Sequence, residues 1–205
     1  MTVKKVYLIR HGQTDYNLQH IVQGSGVDAP LNATGLWQAE QFYKHYSHVP
    51  FDRIYTSALQ RAQQSVASFI QDGCQWEAHS GLNEINWGDR EGTKITLEED
   101  QYYNDMLASW RSGQTDLAIA GGESPEDVAA RQLPIIDLIK NREDEKTILV
   151  CMHGRAIRVF LCQLLNYPLK CMDFFEHRNL GLYVLHFTGN FFRIAEHLNV
   201  EHLKE

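Results

Sequence analysis

Two apolar runs, Val6–Ile9 and Thr147–Met152, stop abruptly, the first in Arg10-His11-Gly12 and the second in His153-Gly154. A short apolar run bounded by turn residues predicts a strand buried on both faces, as in a parallel sheet. In open α/β sheets the ligand site lies beyond the carboxyl ends of the strands. If these two strands are neighbours, both imidazoles therefore share one rim. Gly12 lets the backbone approach a ligand closely, and Thr14 and Asn17 follow near enough to add a hydroxyl and an amide. Arg10 offers a planar fork suited to phosphate oxygens. A neutral imidazole beside it is a candidate nucleophile. One histidine at a strand end is more often structural than catalytic, so the weight comes from the repeated pattern.

The rest of the chain alternates in the same style. Residues 15–30 read as a polar loop punctuated by Gly24, Gly26 and Pro30. Leu36, Ala39, Tyr43 and Tyr46 lie at helical spacing and predict a helix over 34–47. A second strand falls within 51–56. Ser57 is placed to cap a helix that carries Leu59, Ala62, Val66 and Phe69 on one stripe and closes at Gly73. Residues 74–92 begin as a strand and become a loop. A helix over 97–111 would turn Tyr102 or Tyr103, Met106 and Trp110 inward. Ser124, Pro125 and Asp127 supply a cap, a first-turn proline and an acid at the third position. The helix they start runs to about residue 141, with Pro134 inside it able to bend it. A further helix over 155–165 follows His153-Gly154. Strands over 182–187 and 191–197 are joined by Thr188-Gly189-Asn190, a hairpin signal. The alternation predicts a three-layer α/β/α sandwich with a mostly parallel central sheet, built by residues 1–205 as a single domain.

With a formal charge of −7, a general nucleic-acid-binding surface is not expected, although a small cationic pocket remains compatible with it. No apolar run approaches the roughly 18–20 residues of a membrane span. The basic N-terminal stretch leads directly into the first strand, without the apolar segment of a signal peptide, so a cytoplasmic location is expected. Cys74, Cys151, Cys162 and Cys171 lack C-x-x-C spacing and read as free thiols, Cys151 as a core residue.

Arg61, on the first turns after the second strand, can reach the rim that holds the two histidines. Arg10, His11, Arg61 and His153 would then form a ring of cationic or potentially cationic donors, which fits a phosphoryl group with three non-bridging oxygens. Alone, an arginine such as Arg61 would be a solvated surface charge. Their matching positions raise the chemical reading above the plain one.

The chain also carries an ordered set of short motifs. Arg10-His11-Gly12 with Thr14 and Asn17 is followed by Gln23-Gly24, then Asp28-x-Pro30-Leu31 with Gly35 and Gln38-Ala39. Next come Ser57-x-Leu59-x-Arg61-Ala62 and Leu82-x-Glu84 with Gly88 and Glu91-Gly92. Gly121-Gly122-Glu123-Ser124 with Asp127 and Arg131, and finally His153-Gly154, complete the set. In this order the chain resembles the histidine phosphatase superfamily, which includes the cofactor-dependent phosphoglycerate mutases. The resemblance implies a phosphoglycerate mutase-like fold and phosphoryl transfer through a phosphohistidine on His11. Arg10, Arg61 and His153 would hold the equatorial oxygens. Thr14, Asn17, Gln23, Gly24 and Gly154 would line the substrate site. Glu84 matches the family's acid for the leaving oxygen, and apolar Leu82, Ile85 and Trp87 around it suggest the partial burial that raises a carboxyl pKa. Asp89 and Glu91 compete with it on residue type alone, with Glu91-Gly92 read as structural.

The mutases carry an arginine directly after that acid, a tyrosine soon after, and a longer basic insertion. This chain has Ile85, Trp87 and, across 93–111, only Lys94 and Arg111. The expectation is a phosphatase acting on a small phosphorylated metabolite, with mutase-type transfer or a non-catalytic phosphate-binding regulator as alternatives. A metal hydrolase using His11, His153 and Glu84 is disfavoured, because Arg10 and Arg61 would place two fixed cations beside the metal. No metal and no cofactor are expected. Nor are membrane or nucleic-acid partners, and the chain would be a monomer or homodimer. Residues 93–120 would cover the pocket mouth, where Tyr102, Tyr103, Met106 and Trp110 pack either on substrate or in the core. His45, His48, His177, His186, His197 and His202 form no convincing set.

Overall fold

The computed structural model describes residues 3–94 and 96–204. In chain order they form β1 (Lys4–Arg10), α1 (Asp15–Leu18), α2 (Ala33–Tyr46), β2 (Arg53–Ser57), α3 (Gln60–Gln64), α4 (Ala67–Gln71) and β3 (Trp76–His79). Then come α5 (Leu97–Ser112), α6 (Pro125–Asn141), β4 (Thr147–Met152), α7 (Gly154–Leu164), β5 (Leu182–Phe187) and β6 (Phe192–Asn199). The six strands make one sheet in the order β3-β2-β4-β1-β5-β6. β1 pairs with β4 in parallel, Arg10 opposite Met152, and β2 is parallel to both β4 and β3. β5 runs antiparallel to β1, and β6 to β5. The expected neighbourhood of the two His-Gly strands is therefore present.

The layers follow from side-chain alternation along the strands. Val6 and Leu8 of β1, with Ile148, Val150 and Met152 of β4, join one core with Met106 and Trp110 of α5, Val128 and Ile136 of α6, and Ile157 and Phe160 of α7. Ile9, Leu149 and Cys151 face the opposite way, against Phe42 and Tyr46 of α2, Ala62 of α3 and Phe69 of α4. Helices cover both faces, as strands that are apolar throughout require. Each large apolar side chain buried in this way contributes about 1.5–3 kcal/mol.

Several local expectations are corrected. Residues 15–18 are not loop but a one-turn helix, closed by a capping box in which Thr14 and Asn17 bond reciprocally. The stripe Leu59, Ala62, Val66 and Phe69 is buried as expected, yet its helix is broken into α3 and α4. Ser65 sits at the break, its hydroxyl donating to the Arg61 carbonyl at 2.6 Å and accepting from the Gly12 N–H at 2.9 Å. Ser57 is not the cap: Leu59 holds that position and offers no side-chain bond. The buried face of α2 runs through Gly35, Phe42 and Tyr46, whereas Leu36 is 54% exposed. α6 starts on its Ser124–Asp127 capping box and continues through Pro134 as one helix. No helix among the described residues is long and apolar enough to cross a membrane.

Candidate active site

The parallel β1–β4 register extends one residue past β1, because the His11 N–H donates to the Met152 carbonyl at 3.0 Å. This bond fixes the His11 backbone against the strand that ends in His153. The two imidazole centroids lie 5.0 Å apart. Both rings are buried, His153 completely. Nδ1 of His11 is 2.7 Å from the Gly12 carbonyl. A carbonyl only accepts, so Nδ1 carries the proton and Nε2 keeps its lone pair. Burial, then Arg61 and Arg10, hold the His11 pKa well below the histidine range.

His153 has the opposite tautomer. Its Nδ1 accepts from Arg61 Nε at 3.2 Å, which leaves Nε2–H to donate to Ser57 Oγ at 2.7 Å. The hydroxyl expected to cap a helix is thus recruited by the second histidine. Burial, followed by Arg61 and His11, also keeps this ring neutral.

Arg61 is fully buried rather than a surface charge. Nη1 donates to the Val27 carbonyl at 2.6 Å and Nη2 to the Gly24 carbonyl at 3.1 Å, so the guanidinium ties the loop after α1 to the rim. Of its five N–H groups, two remain uncommitted among the described residues. Arg10 donates through Nη1 to Nδ1 of His177 at 3.2 Å, while its buried Nε has no partner among the described residues. Burial brings the pKa of each arginine down to about 10, leaving both charged at neutral pH.

Glu84 is 7% exposed. Oε1 accepts from the N–H groups of Ile85 at 2.9 Å and Ala156 at 2.8 Å, and Oε2 from Arg155 at 3.0 Å. The carboxyl group therefore caps the N-terminus of α7. Its loop is held by Arg131, whose guanidinium donates to the carbonyls of Gly81, Asn83 and Glu84, each at 2.9 Å. Arg131 is itself clamped in bidentate fashion by Glu123, at 2.8 and 3.0 Å.

The remaining expected residues are nearby but not all are presented to a ligand. Thr14 is fully buried, its hydroxyl accepting from Asn17 N–H and donating to Gln23 Oε1 at 2.8 Å. Asn17 Oδ1 accepts from Thr14 N–H and from Asn179 Nδ2, which leaves the Asn17 NH2 as the end of the amide without a partner among the described residues. Nε2 of Gln23 is buried without a partner among the described residues. Packing explains the glycines: a Cβ at Gly12 would lie 2.7 Å from the Gly35 carbonyl, at Gly24 2.1 Å from Glu91 Oε1, and at Gly154 2.8 Å from the His177 ring. Gly12 thus serves the close contact with α2. Glu91 accepts from Trp87 N–H at 3.0 Å, a structural use.

Sequence reasoning missed His177, Asn179 and Arg155. Asn179 Nδ2 donates to the His11 carbonyl at 2.9 Å. His177 is neutral, with burial and then Arg10 lowering its pKa to about 2. Arg155 binds Asp173 at 2.5 Å and the Tyr103 hydroxyl at 2.8 Å, and lies 5.4 Å from the Trp110 ring centroid, so it anchors α5 to α7. Met106 and Trp110 are core residues, whereas Tyr103 is 38% exposed. The only sequence hint was the polar string His177-Arg178-Asn179 just ahead of β5. Among the described residues, no group of three histidine, cysteine, aspartate or glutamate side chains could hold a metal ion.

Residues 6–200 match the model of the histidine phosphatase superfamily (branch 1). Among similar proteins, the 2,3-bisphosphoglycerate-dependent phosphoglycerate mutase of Bradyrhizobium diazoefficiens is 30% identical over 80% of this chain and 82% of its own. A mycobacterial glucosyl-3-phosphoglycerate phosphatase, solved with VO3, superposes with a TM-score of 0.84 at 26% identity, covering 96% of this chain and 100% of that one. The phosphoserine phosphatase of Entamoeba histolytica, solved with 3-phosphoglyceric acid, has a TM-score of 0.83 at 26% identity, covering 98% and 100%.

Proposed function

Because the chain belongs to the histidine phosphatase superfamily, we propose that it hydrolyses a phosphomonoester of a small metabolite through a phosphohistidine on His11. The observation that carries this reading is the state of His11: a buried imidazole with Nδ1–H committed to Gly12, Nε2 unprotonated, and two arginines beside it. In the first step the Nε2 lone pair forms a bond to phosphorus while the bond to the ester oxygen breaks. Glu84 gives its proton to that leaving oxygen. Among the described residues Oε2 accepts a single N–H, which leaves a lone pair able to carry the proton. Arg10, Arg61, the NH2 of Asn17 and the orphaned Gln23 Nε2 supply donors for the non-bridging oxygens. In the second step Glu84 takes a proton from water, the water oxygen bonds to phosphorus, and inorganic phosphate leaves His11. The arginines carry the charge compensation that a metal would otherwise provide, so hydrolysis should survive exhaustive chelation.

Phosphoglycerate mutase-type transfer is the second reading, and it is favoured by the mutase relative at 30% identity. Against it, Ile85 stands where the mutases carry arginine and is fully buried in the core. The test is acid-quenched turnover of a labelled monoester. It should trap an acid-labile phosphorylated imidazole in the wild type and none in His11→Ala, with an assay for 3- to 2-phosphoglycerate conversion alongside. Normal turnover by His11→Ala would refute the nucleophile.

A further inference from the structure

Beside the His11 socket lies a separate open groove of about 610 Å3, lined in part by Arg10, Gln38, His177, Arg178, Asn179 and Lys204. It sits on the same rim, because β5 begins opposite Ile9 and β6 ends opposite Leu182. None of the described residues that line it is a carboxylate, although the chain as a whole carries a charge of −7. Arg178 is exposed and has no side-chain partner among the described residues. Gln38 accepts from Gln13 N–H through Oε1 at 2.9 Å, which leaves its NH2 as a donor. Lys204 is paired with Glu201, but both side chains are more than 60% exposed, and such a pair is weak. Arg10 belongs to both the groove and the socket, and its buried Nε is unpartnered among the described residues.

We propose that this groove is a second anion site, taking a carboxylate or phosphate group and read chiefly by Arg178 with Lys204. The assignment rests on the hydrolase reading in one respect: with Arg10 common to both sites, the simplest carrier of the second anion is the substrate itself. That substrate would be a small molecule with a transferable phosphoryl group and another acidic group a few bonds away. A free anion held next to the socket is the other source of the same chemistry.

The experiment compares 3-phosphoglycerate with glycerol 3-phosphate, which differ in a carboxylate against a hydroxymethyl group. If the substrate supplies the anion, wild-type kcat/KM favours phosphoglycerate by about tenfold or more, as expected for a charge-assisted contact. Arg178→Ala and Arg178→Ala/Lys204→Ala collapse that ratio towards one, and Arg178→Lys restores part of it. If the wild type shows no preference but inorganic phosphate alters its rate noncompetitively, and only while Arg178 is present, the groove holds a free anion. A preference that persists in the double variant, or the absence of both effects, overturns the proposal. Failure of the wild type to hydrolyse any monoester counts instead against the hydrolase reading. In that case calorimetric titration of phosphate into wild type and Arg178→Ala still decides the groove, since equal binding by both would reject it.

Discussion

Lowering the pH from 7 to 5 should cost this protein a large part of its stability, with histidines as the cause. Burial is the main reason that His11, His153, His177 and His202 all have lowered pKa values in the folded chain, His177 at about 2 and His202 at about 4. In the unfolded chain each titrates near the ordinary value of about 6.5. Above that value both states are neutral and the contribution is complete. Below it the unfolded chain binds protons that the folded chain refuses, so stability falls with pH until the folded pKa is reached. Each such group costs about 1.4 kcal/mol per pH unit within that window, or about 5 kcal/mol per unit for the four together. A domain stable by about 5–15 kcal/mol cannot absorb much of that. The carboxyls with lowered pKa, Glu77, Asp127 and Asp173, act further down the scale and leave the window to the imidazoles. Urea unfolding at pH 7.5, 6.5, 5.5 and 5.0 measures the slope directly. His177→Asn, whatever it does to stability at pH 7.5, should flatten the slope by about 1.4 kcal/mol per unit. A stability that stays level between pH 6.5 and 5 would mean that the folded protein accepts charged imidazoles, and the argument for a neutral nucleophile would fall with it.

Glu84→Gln should lower turnover of alkyl phosphates by about 10²–10⁴-fold and spare aryl phosphates with good leaving groups. Equal losses on both would reject the proton-donor role. The amide also turns an NH2 towards the N–H of Arg155 or Ala156, so about 1–3 kcal/mol of stability should be lost in a denaturant series. Arg131→Met removes the clamp on the Glu84 loop and takes the ion-pair partner from Glu123, which keeps the Asn86 N–H, so it should cost about 1–3 kcal/mol and reduce kcat more than it raises KM. An unchanged kcat would mean that the loop holds its shape without it. Gly154→Ala pushes a methyl into the His177 ring and should loosen Arg10, seen as weaker inhibition by inorganic phosphate. Unaltered inhibition would show that His177 does not hold Arg10.

Strong local signals were legible in advance. β1 and β4 stood out because an apolar run ending in His-Gly has few other readings, and the Ser124–Asp127 box marked the start of α6. Readings failed where a distant partner decided the outcome. Ser57 looked like a helix cap until His153, from the far side of the chain, claimed its hydroxyl. Ser65 interrupts a regular stripe because Gly12 bonds to it. α1 is too short for any periodicity, and Thr14 and Asn17, singled out as ligand donors, also close its capping box. His177, Arg155 and Asn179 act through tertiary contacts, and the polar string over 177–179 hints at a role without saying which partners it meets.

The position of β1 in the sheet bears on how the chain comes into being. Its two partners, β4 and β5, both lie in the last third of the sequence. During synthesis the strand that carries His11 emerges first and waits unpaired, apolar on both faces, until nearly everything else has followed. Such long-range closure makes for slow, late acquisition of shape. Nascent chains arrested before β5 should therefore be sticky, protease-sensitive and dependent on holding by chaperones.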